Sequence, residues 1–337
     1  MKYLFIILFA ASFCIAQTSL KRDLSFADSG IKNTGYFQAK VGMQLDGKFV
    51  FVRNGQTNVE QLSLSRLTEN GIVDETFGNS GSISYSFSQF VNILSISKPE
   101  FQSDGKIIIT GSVRYNYGQN SFGTPITDDV MCVWRFNANG TLDQSFNNKG
   151  YYAFAIGNAD DPKYNYSQGV YVRVQTDGKI VIAGTALNSL YYPNGVGYSG
   201  DDLTVWRVTQ NGILDTTFNN GKGYSGVDYY NSHNNPNNPY SIENITGFTV
   251  KNNGEIIVGY HQNVTNINNS IYWGYYVFSA NGQVFSKYTG GLLGGNQDDG
   301  IKDLISLPDN NIILAKSQVL MRYMDYIAYL YRQAEEL

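Results

Sequence analysis

Apolar residues in this chain come in short runs, each closed by a polar turn. Runs at Phe49–Val52, Ile107–Thr110, Ile180–Ala183, Ile256–Val258 and Ile312–Ala315 are strand-length and rich in β-branched residues. Asp-Gly or Asn-Gly precedes four of them, at 46–47, 104–105, 177–178 and 253–254, and Asp309–Asn311 takes that place before the fifth. Their near-continuous apolarity predicts strands buried on both faces. Further runs precede a second turn (Leu62–Leu67, Val130–Phe136, Leu203–Val208, Tyr272–Phe278), and others follow it (Ser82–Phe87, Tyr151–Ala155). The pattern predicts four antiparallel strands per unit.

The runs belong to a repeated phrase. Its first half reads Gln-x-Asp-Gly-Lys at Gln44–Lys48, Gln102–Lys106 and Gln175–Lys179, with weaker copies at Lys251–Glu255 and Leu307–Asn311. Its second half runs from Arg66, Arg135 and Arg207 through Asn-Gly to Asp-x-x-Phe. The second turn falls at Asn70, Asn139, Asn211 and Asn281, spaced 69, 72 and 70 residues apart. A fixed period of this kind marks stacked supersecondary units. Two-residue Asn-Gly and Asp-Gly turns predict type I′ hairpins.

Four buried antiparallel strands per repeat describe the blade of a β-propeller, so the expected fold is an all-β propeller of five blades. Asp23–Gly30 matches Asp74–Gly81, which suggests an N-terminal outer strand that completes the last blade and removes its exposed edge. An open solenoid, or a fragment of a larger ring, is the competing architecture.

The motifs resemble the delta-60 repeat family of secreted or surface β-propellers, whose pattern is approximately QxDGKI, ARxNxDG and LDxSFG. The likeness runs from about Ser19 to about Arg332. It is sharpest in Gln102–Gly111 with Arg135–Phe146 and in Gln175–Gly184 with Arg207–Phe218. The fourth repeat departs, with Phe278 read in place of Arg, Phe285 in place of Asp and Tyr288 in place of Phe. The resemblance implies a fold and an extracellular setting, and no general activity.

Composition fits that setting. The chain has 337 residues, 26 of them Tyr and 35 Gly, with 15% charged residues and a net charge of −4. No basic block offers an electrostatic footprint for nucleic acid. Met1–Ala16 has a basic start, an apolar core and small residues before Gln17, the pattern of a cleaved signal peptide, which leaves residues 17–337 as the propeller domain. Cys14 raises the alternative of a lipid-modified cysteine, against which Phe13 argues. Beyond the signal no segment is long and apolar enough for a transmembrane helix. The protein is thus expected to be secreted or at the cell surface. Cys132, alone after signal removal, reads as a buried hydrophobe.

Candidate chemistry is sparse. Asp pairs at Asp128/Asp129, Asp160/Asp161, Asp201/Asp202 and Asp298/Asp299 lie in Gly-, Asn- or Thr-flanked segments. Their oxygens suit Ca²⁺, although none shows a calcium-loop spacing; no other cofactor is expected. The plainer role of these acids is to bond their own turns. Asp74, Asp143 and Asp215 repeat for packing reasons, and Arg66, Arg135 and Arg207 are expected to pair with them. Only His233 and His261 exist, with no zinc motif, and no nucleophile motif is present. Tyr115–Tyr117, Tyr191/Tyr192, Tyr229/Tyr230 and Tyr272–Tyr276 offer flat faces at expected loop tips, suited to a glycan or peptide. Five Asn-x-Ser/Thr sequons, at Asn139, Asn165, Asn244, Asn263 and Asn268, matter only in a glycosylating host. The leading expectation is a non-enzymatic binding module for a protein partner or surface glycan. The alternatives are a propeller enzyme acting on polysaccharide, with Asp160/Asp161 or Asp201/Asp202 as acid and base, and a structural spacer.

Overall fold

A computed structural model describes residues 25–27, 32, 38–55, 59–154, 156, 166–187, 201–227, 241–264, 270–289, 301–316, 319–324 and 327–332. They form 21 strands, and no helix occurs among the described residues. The first group is β1 (Lys40–Met43), β2 (Phe49–Asn54), β3 (Gln61–Leu67) and β4 (Ser82–Ser86). The second is β5 (Phe90–Ile96), β6 (Glu100–Phe101), β7 (Ile107–Gln119), β8 (Pro125–Phe136) and β9 (Tyr151–Phe154). The third is β10 (Ser167–Val174), β11 (Ile180–Leu187), β12 (Asp201–Val208) and β13 (Tyr224–Val227). The fourth is β14 (Ser241–Val250), β15 (Ile256–Val264), β16 (Ser270–Phe278) and β17 (Val284–Thr289). The fifth is β18 (Ile301–Ser306), β19 (Ile312–Lys316), β20 (Val319–Met324) and β21 (Ile327–Arg332).

Within each group consecutive strands pair antiparallel, with β5 and β6 together forming one edge of the second. A parallel contact between Asp201 and Ile242 links the third group to the fourth. The last sheet draws all four strands from residues 301–332. Of the N-terminal outer strand expected at Asp23–Gly30, residues 23, 24 and 28–30 lie outside the described residues, and Ala27 N donates to Asn70 O of the first sheet at 2.9 Å.

Why the second strand of each repeat is apolar at nearly every position is now plain. Side chains alternate between faces along a strand. In β7, Ile107 and Ile109 join the core shared with the first sheet, while Ile108 joins the core shared with the third. In β11, Ile180 and Ile182 face the second sheet, and Val181 and Ala183 face the fourth. In β15, Ile256 and Val258 pack towards the third sheet and Ile257 towards the fifth. The second, third and fourth sheets are thus each sandwiched between two cores, and the five sheets stack face to face in sequence order.

The turns differ from the type I′ geometry expected. Gly47 N donates to Gln44 O at 3.0 Å and Gln44 N to Lys48 O at 2.8 Å, which makes a three-residue loop. Gly47 has φ +83°, whereas Asp46 is not in the positive-φ region. This is a type I turn followed by a left-handed residue, the other common hairpin loop. The Asp46 carboxylate accepts from Lys48 N at 3.2 Å, which type I geometry permits. In the fifth repeat Asn310 takes the left-handed position, at φ +63°.

Candidate functional site

Successive strands run in opposite directions, so each repeat presents two distinct ends. The Gln-x-Asp-Gly-Lys and Asn-Gly turns emerge at one end. The β7–β8 tip and the connections between successive sheets leave from the other.

At the first end the two halves of the repeated phrase meet. Arg66 Nε lies 2.9 Å from Asp74 Oδ2, Arg135 2.7 Å from Asp143, and Arg207 2.7 Å from Asp215. The lysines of the first half reach the same carboxylates, Lys48 at 3.4 Å, Lys106 at 3.3 Å and Lys179 at 3.1 Å. Each guanidinium lies over the Phe of its own repeat, 4.5–4.6 Å from the Phe77, Phe146 and Phe218 centroids. Each also donates to a carbonyl of the following repeat: Ala138, Gln210 or Ala280, all at 2.6 Å.

Burial pushes the Asp74 and Asp143 carboxyls up, but more acts against it. Hydroxyl and amide bonds from Thr76, with Arg66 and Lys48 beside them, hold Asp74 down to about 2. Ser145, Arg135 and Lys106 do the same for Asp143, also to about 2. Asp215 is held below the usual carboxylate range by Thr217, Lys179 and Arg207. These repeated acids are packing devices, as the sequence suggested, and have no free valence for a ligand.

The fourth repeat lacks the arrangement, for a reason the sequence reading misplaced. Register sets Arg66, Arg135 and Arg207 opposite Val50, Ile108 and Val181, and the residue opposite Ile257 is Val277. Val277, not Phe278, stands in the arginine position. Tyr288 is no Asp-x-x-Phe element either. It lies in β17, which starts two residues after Gly282, and stacks on Tyr275 at 5.2 Å.

A cavity of about 500 Å³ opens between the first two sheets at this end, lined among others by Gln44, Asp46, Lys48, Phe101, Gln102 and Asn139. Asp46 pairs with Lys48 at 3.4 Å, so the lining charges are internally matched.

The opposite end carries the most exposed aromatic groups. β7 and β8 continue past the body of their sheet as a long hairpin. Its tip is fixed by Asn120, whose N and O bond Thr124 O and Gly123 N, both at 2.9 Å. The Asn120 side chain accepts from Phe122 N and Thr124 N, also at 2.9 Å. Phe122 at the tip is 89% exposed and Tyr117 52% exposed. Lower down, Arg114 grips Asp129 through two bonds of 2.7 and 2.9 Å. Tyr115 bonds Gln89 at 3.2 Å. Burial, Asp128 and Tyr115 push the Tyr117 phenol up to about 12, so it is a neutral donor at any physiological pH.

The other sequence-expected positions sort as follows. Asp160, Asp161, Asp298, Asp299, Tyr191, Tyr192, Tyr229, Tyr230 and His233 lie outside the described residues. Asp201 and Asp202 begin β12, opposite Leu187 and Ala186. Trp273 and Tyr276, expected at a loop tip, are buried strand residues of β16. Cys132 is fully buried and its thiol pushed well up by burial, as befits a packing residue. The His261 Nε2 is buried without a hydrogen-bond partner among the described residues, and burial, then Lys302, lower its affinity for a proton. Phe122 escaped the sequence reading because a lone Phe among Asn, Ser and Gly gives no signal without the hairpin that lifts it.

Comparison with known proteins agrees on the fold. A family model described as a beta-propeller domain of unknown function, DUF5122, matches residues 102–124, 129–146 and 175–218, the second repeat and much of the third. No curated protein matches the sequence. Among solved structures, the polysaccharide lyase Uly1 superposes with a TM-score of 0.50 at 13% identity, over 88% of this chain and 68% of that one. A thermostable family-43 glycoside hydrolase gives 0.44 at 10% identity, over 89% and 93%. An α-L-arabinofuranosidase from Lactobacillus brevis gives 0.40 at 12%, over 86% and 84%. At 13% identity the likeness to Uly1 speaks for shared architecture alone. Repeats, stacked four-stranded sheets and family match together make this chain an all-β repeat protein of the β-propeller kind.

Proposed function

We propose that this chain is a secreted or cell-surface propeller that binds a partner protein or glycan without turning it over, and that its five sheets close into a ring. The observation that carries the binding reading is the β7–β8 hairpin. Its tip is pre-organised by Asn120 and presents Phe122 and Tyr117 beside amide and hydroxyl groups. Rigid aromatic anchors at low ordering cost are what recognition surfaces use. Leader removal after Ala16, ligand contact through Tyr191, Tyr192, Tyr229 and Tyr230, and Ca²⁺ at the Asp pairs belong to the same proposal.

The full chain would be tested by thermal shift against calcium, a chelator and a polysaccharide panel, beside Phe122→Ala and Tyr117→Ala. A ligand at 100 times its Kd raises stability by about 2.7 kcal/mol. A shift lost in both variants supports the reading; one unchanged in both removes the hairpin from it.

One observation favours the enzymatic alternative. Glu100, on the edge strand β6, has its carboxyl pushed up by burial, with Arg173 only 3.5 Å away. Hydrolysis by paired acids needs a second carboxylate roughly 5–10 Å from the first. Release of new reducing ends, abolished by Glu100→Gln, would establish that reading in place of the binding one.

A further inference from the structure

We propose that the Asn70–Gly71 turn of the first sheet is a peptide-binding socket for the Phe end of an Asp-x-x-Phe segment, and that Phe26 and Ala27 are its resident ligand. The seams between repeats define the socket. Gly78 N donates to Asn139 O at 2.8 Å, Asn147 N to Asn211 O at 2.7 Å, and Asn219 N to Asn281 O at 2.8 Å. In each case the preceding Phe lies on the glycine of the next Asn-Gly turn. A methyl placed on Gly140, Gly212 or Gly282 would come within 2.6–2.7 Å of the Phe77, Phe146 or Phe218 ring. No side chain other than hydrogen fits there.

The first sheet has the same socket, at Asn70 and Gly71. The N-terminal segment fills it in the same way. Ala27 N donates to Asn70 O at 2.9 Å. The Phe26 ring comes within 2.8 Å of where a Gly71 methyl would stand, and meets Phe49 edge-on at 5.8 Å. The residue after the Phe is left-handed every time: φ is +45° at Ala27, +58° at Gly78, +52° at Asn147 and +48° at Asn219. Alanine is strained in that conformation, so docking contacts must hold it there.

The tally of parts agrees. Asn-Gly sockets at 70, 139, 211 and 281 are matched by plugs at Phe26, Phe77, Phe146 and Phe218.

The test uses the full chain, its Phe26→Ala variant and a labelled peptide of residues 19–30. Phe26→Ala should lower the melting midpoint by a few degrees. The peptide should bind the variant saturably, restore part of that loss, and bind the wild type at least tenfold more weakly, because the socket is already filled. A peptide with Ala for Phe should not bind. Equal binding to wild type, or none to a folded variant, overturns the proposal. Should the variant not fold, the Ala27 amide of the wild type decides. Protection from hydrogen exchange supports a docked segment, and exchange at the free-peptide rate overturns it.

Discussion

In the second repeat, Arg135, Asp143, Lys106 and Phe146 form one buried cluster that ties the sheet to the next. In the fourth repeat the positions of Arg, Asp and Phe hold Val277, Phe285 and Tyr288, while Lys251 and Glu255 pair at 2.9 Å within their own turn. The fourth seam is nevertheless packed, with Val277 joining Ile257, Ile301 and Leu314 in an apolar core. A buried ion cluster is therefore not required for stacking. Exchanging the whole cluster for hydrocarbon is tolerable, since desolvation of the ions offsets much of their attraction. Removing one member is different, because the others are left charged and unmatched. What the cluster adds is direction: its guanidinium reaches a specific carbonyl of the next repeat, and its Phe finds a specific glycine. The fourth repeat has no socket ahead of it in the chain and carries no plug.

The largest effect should come from breaking the cluster by halves. Asp143→Ala leaves Arg135 and Lys106 without their shared carboxylate and should cost about 3–5 kcal/mol in urea unfolding. Phe285→Ala, at the matching position of the fourth repeat, is 49% exposed and should cost below about 1 kcal/mol. Equal losses would mean that the two seams are held by the same forces.

Acid sharpens the same contrast. The Asp74 and Asp143 carboxyls are held near 2, whereas an unfolded Asp titrates near 4. The folded state therefore binds these protons more weakly than the unfolded state. The stability they contribute is complete above about pH 4 and is lost as pH falls towards 2. The urea midpoint should drop steeply across that window, and Asp143→Asn should make the drop shallower. A midpoint flat from pH 5 to 2 would show that the clusters contribute nothing net.

A smaller effect tests the socket apart from the plug. Gly140 and Gly282 both receive a Phe from the preceding repeat, although only the first belongs to a repeat with its own plug. An alanine at either would be left-handed and in collision with the ring, a cost of roughly 1–2 kcal/mol. The two losses should agree. A milder loss at Gly282 would mean that sockets weaken along the array.

Much of this design is legible in the residues themselves. Apolar runs and turn spacing mark the strands of each repeat, and Arg–Asp–Phe spacing marks the cluster, because these depend on neighbours in sequence. The arginine position of the fourth repeat is legible too: Arg66, Arg135 and Arg207 stand four residues before their turn Asn, and Val277, not Phe278, stands four before Asn281. Two features are not. The turn type depends on whether Asp46 or only Gly47 goes left-handed, and Asp-Gly permits both. The N-terminal Asp-x-x-Phe could be matched to its copies in sequence. Which partner it meets is set by contacts more than forty residues away, as Ala27 with Asn70 shows.

The smallest stability effect belongs to the end of the molecule where no repeat rule applies. Phe122 touches solvent over 89% of its surface, and its turn is held by the Asn120 side chain and backbone rather than by its ring. Phe122→Ala should change unfolding free energy by no more than about 0.5 kcal/mol. If the hairpin binds as proposed, the same variant should lose most of its affinity for any ligand that shifts the wild type. Asn120→Ala separates ring from scaffold: it leaves Phe122 in place but frees the tip, and should weaken binding through lost pre-organisation with Phe122 still required. A Phe122→Ala chain that unfolds early would instead make the ring a packing group, and the contrast between a structural end and a recognising end would fail.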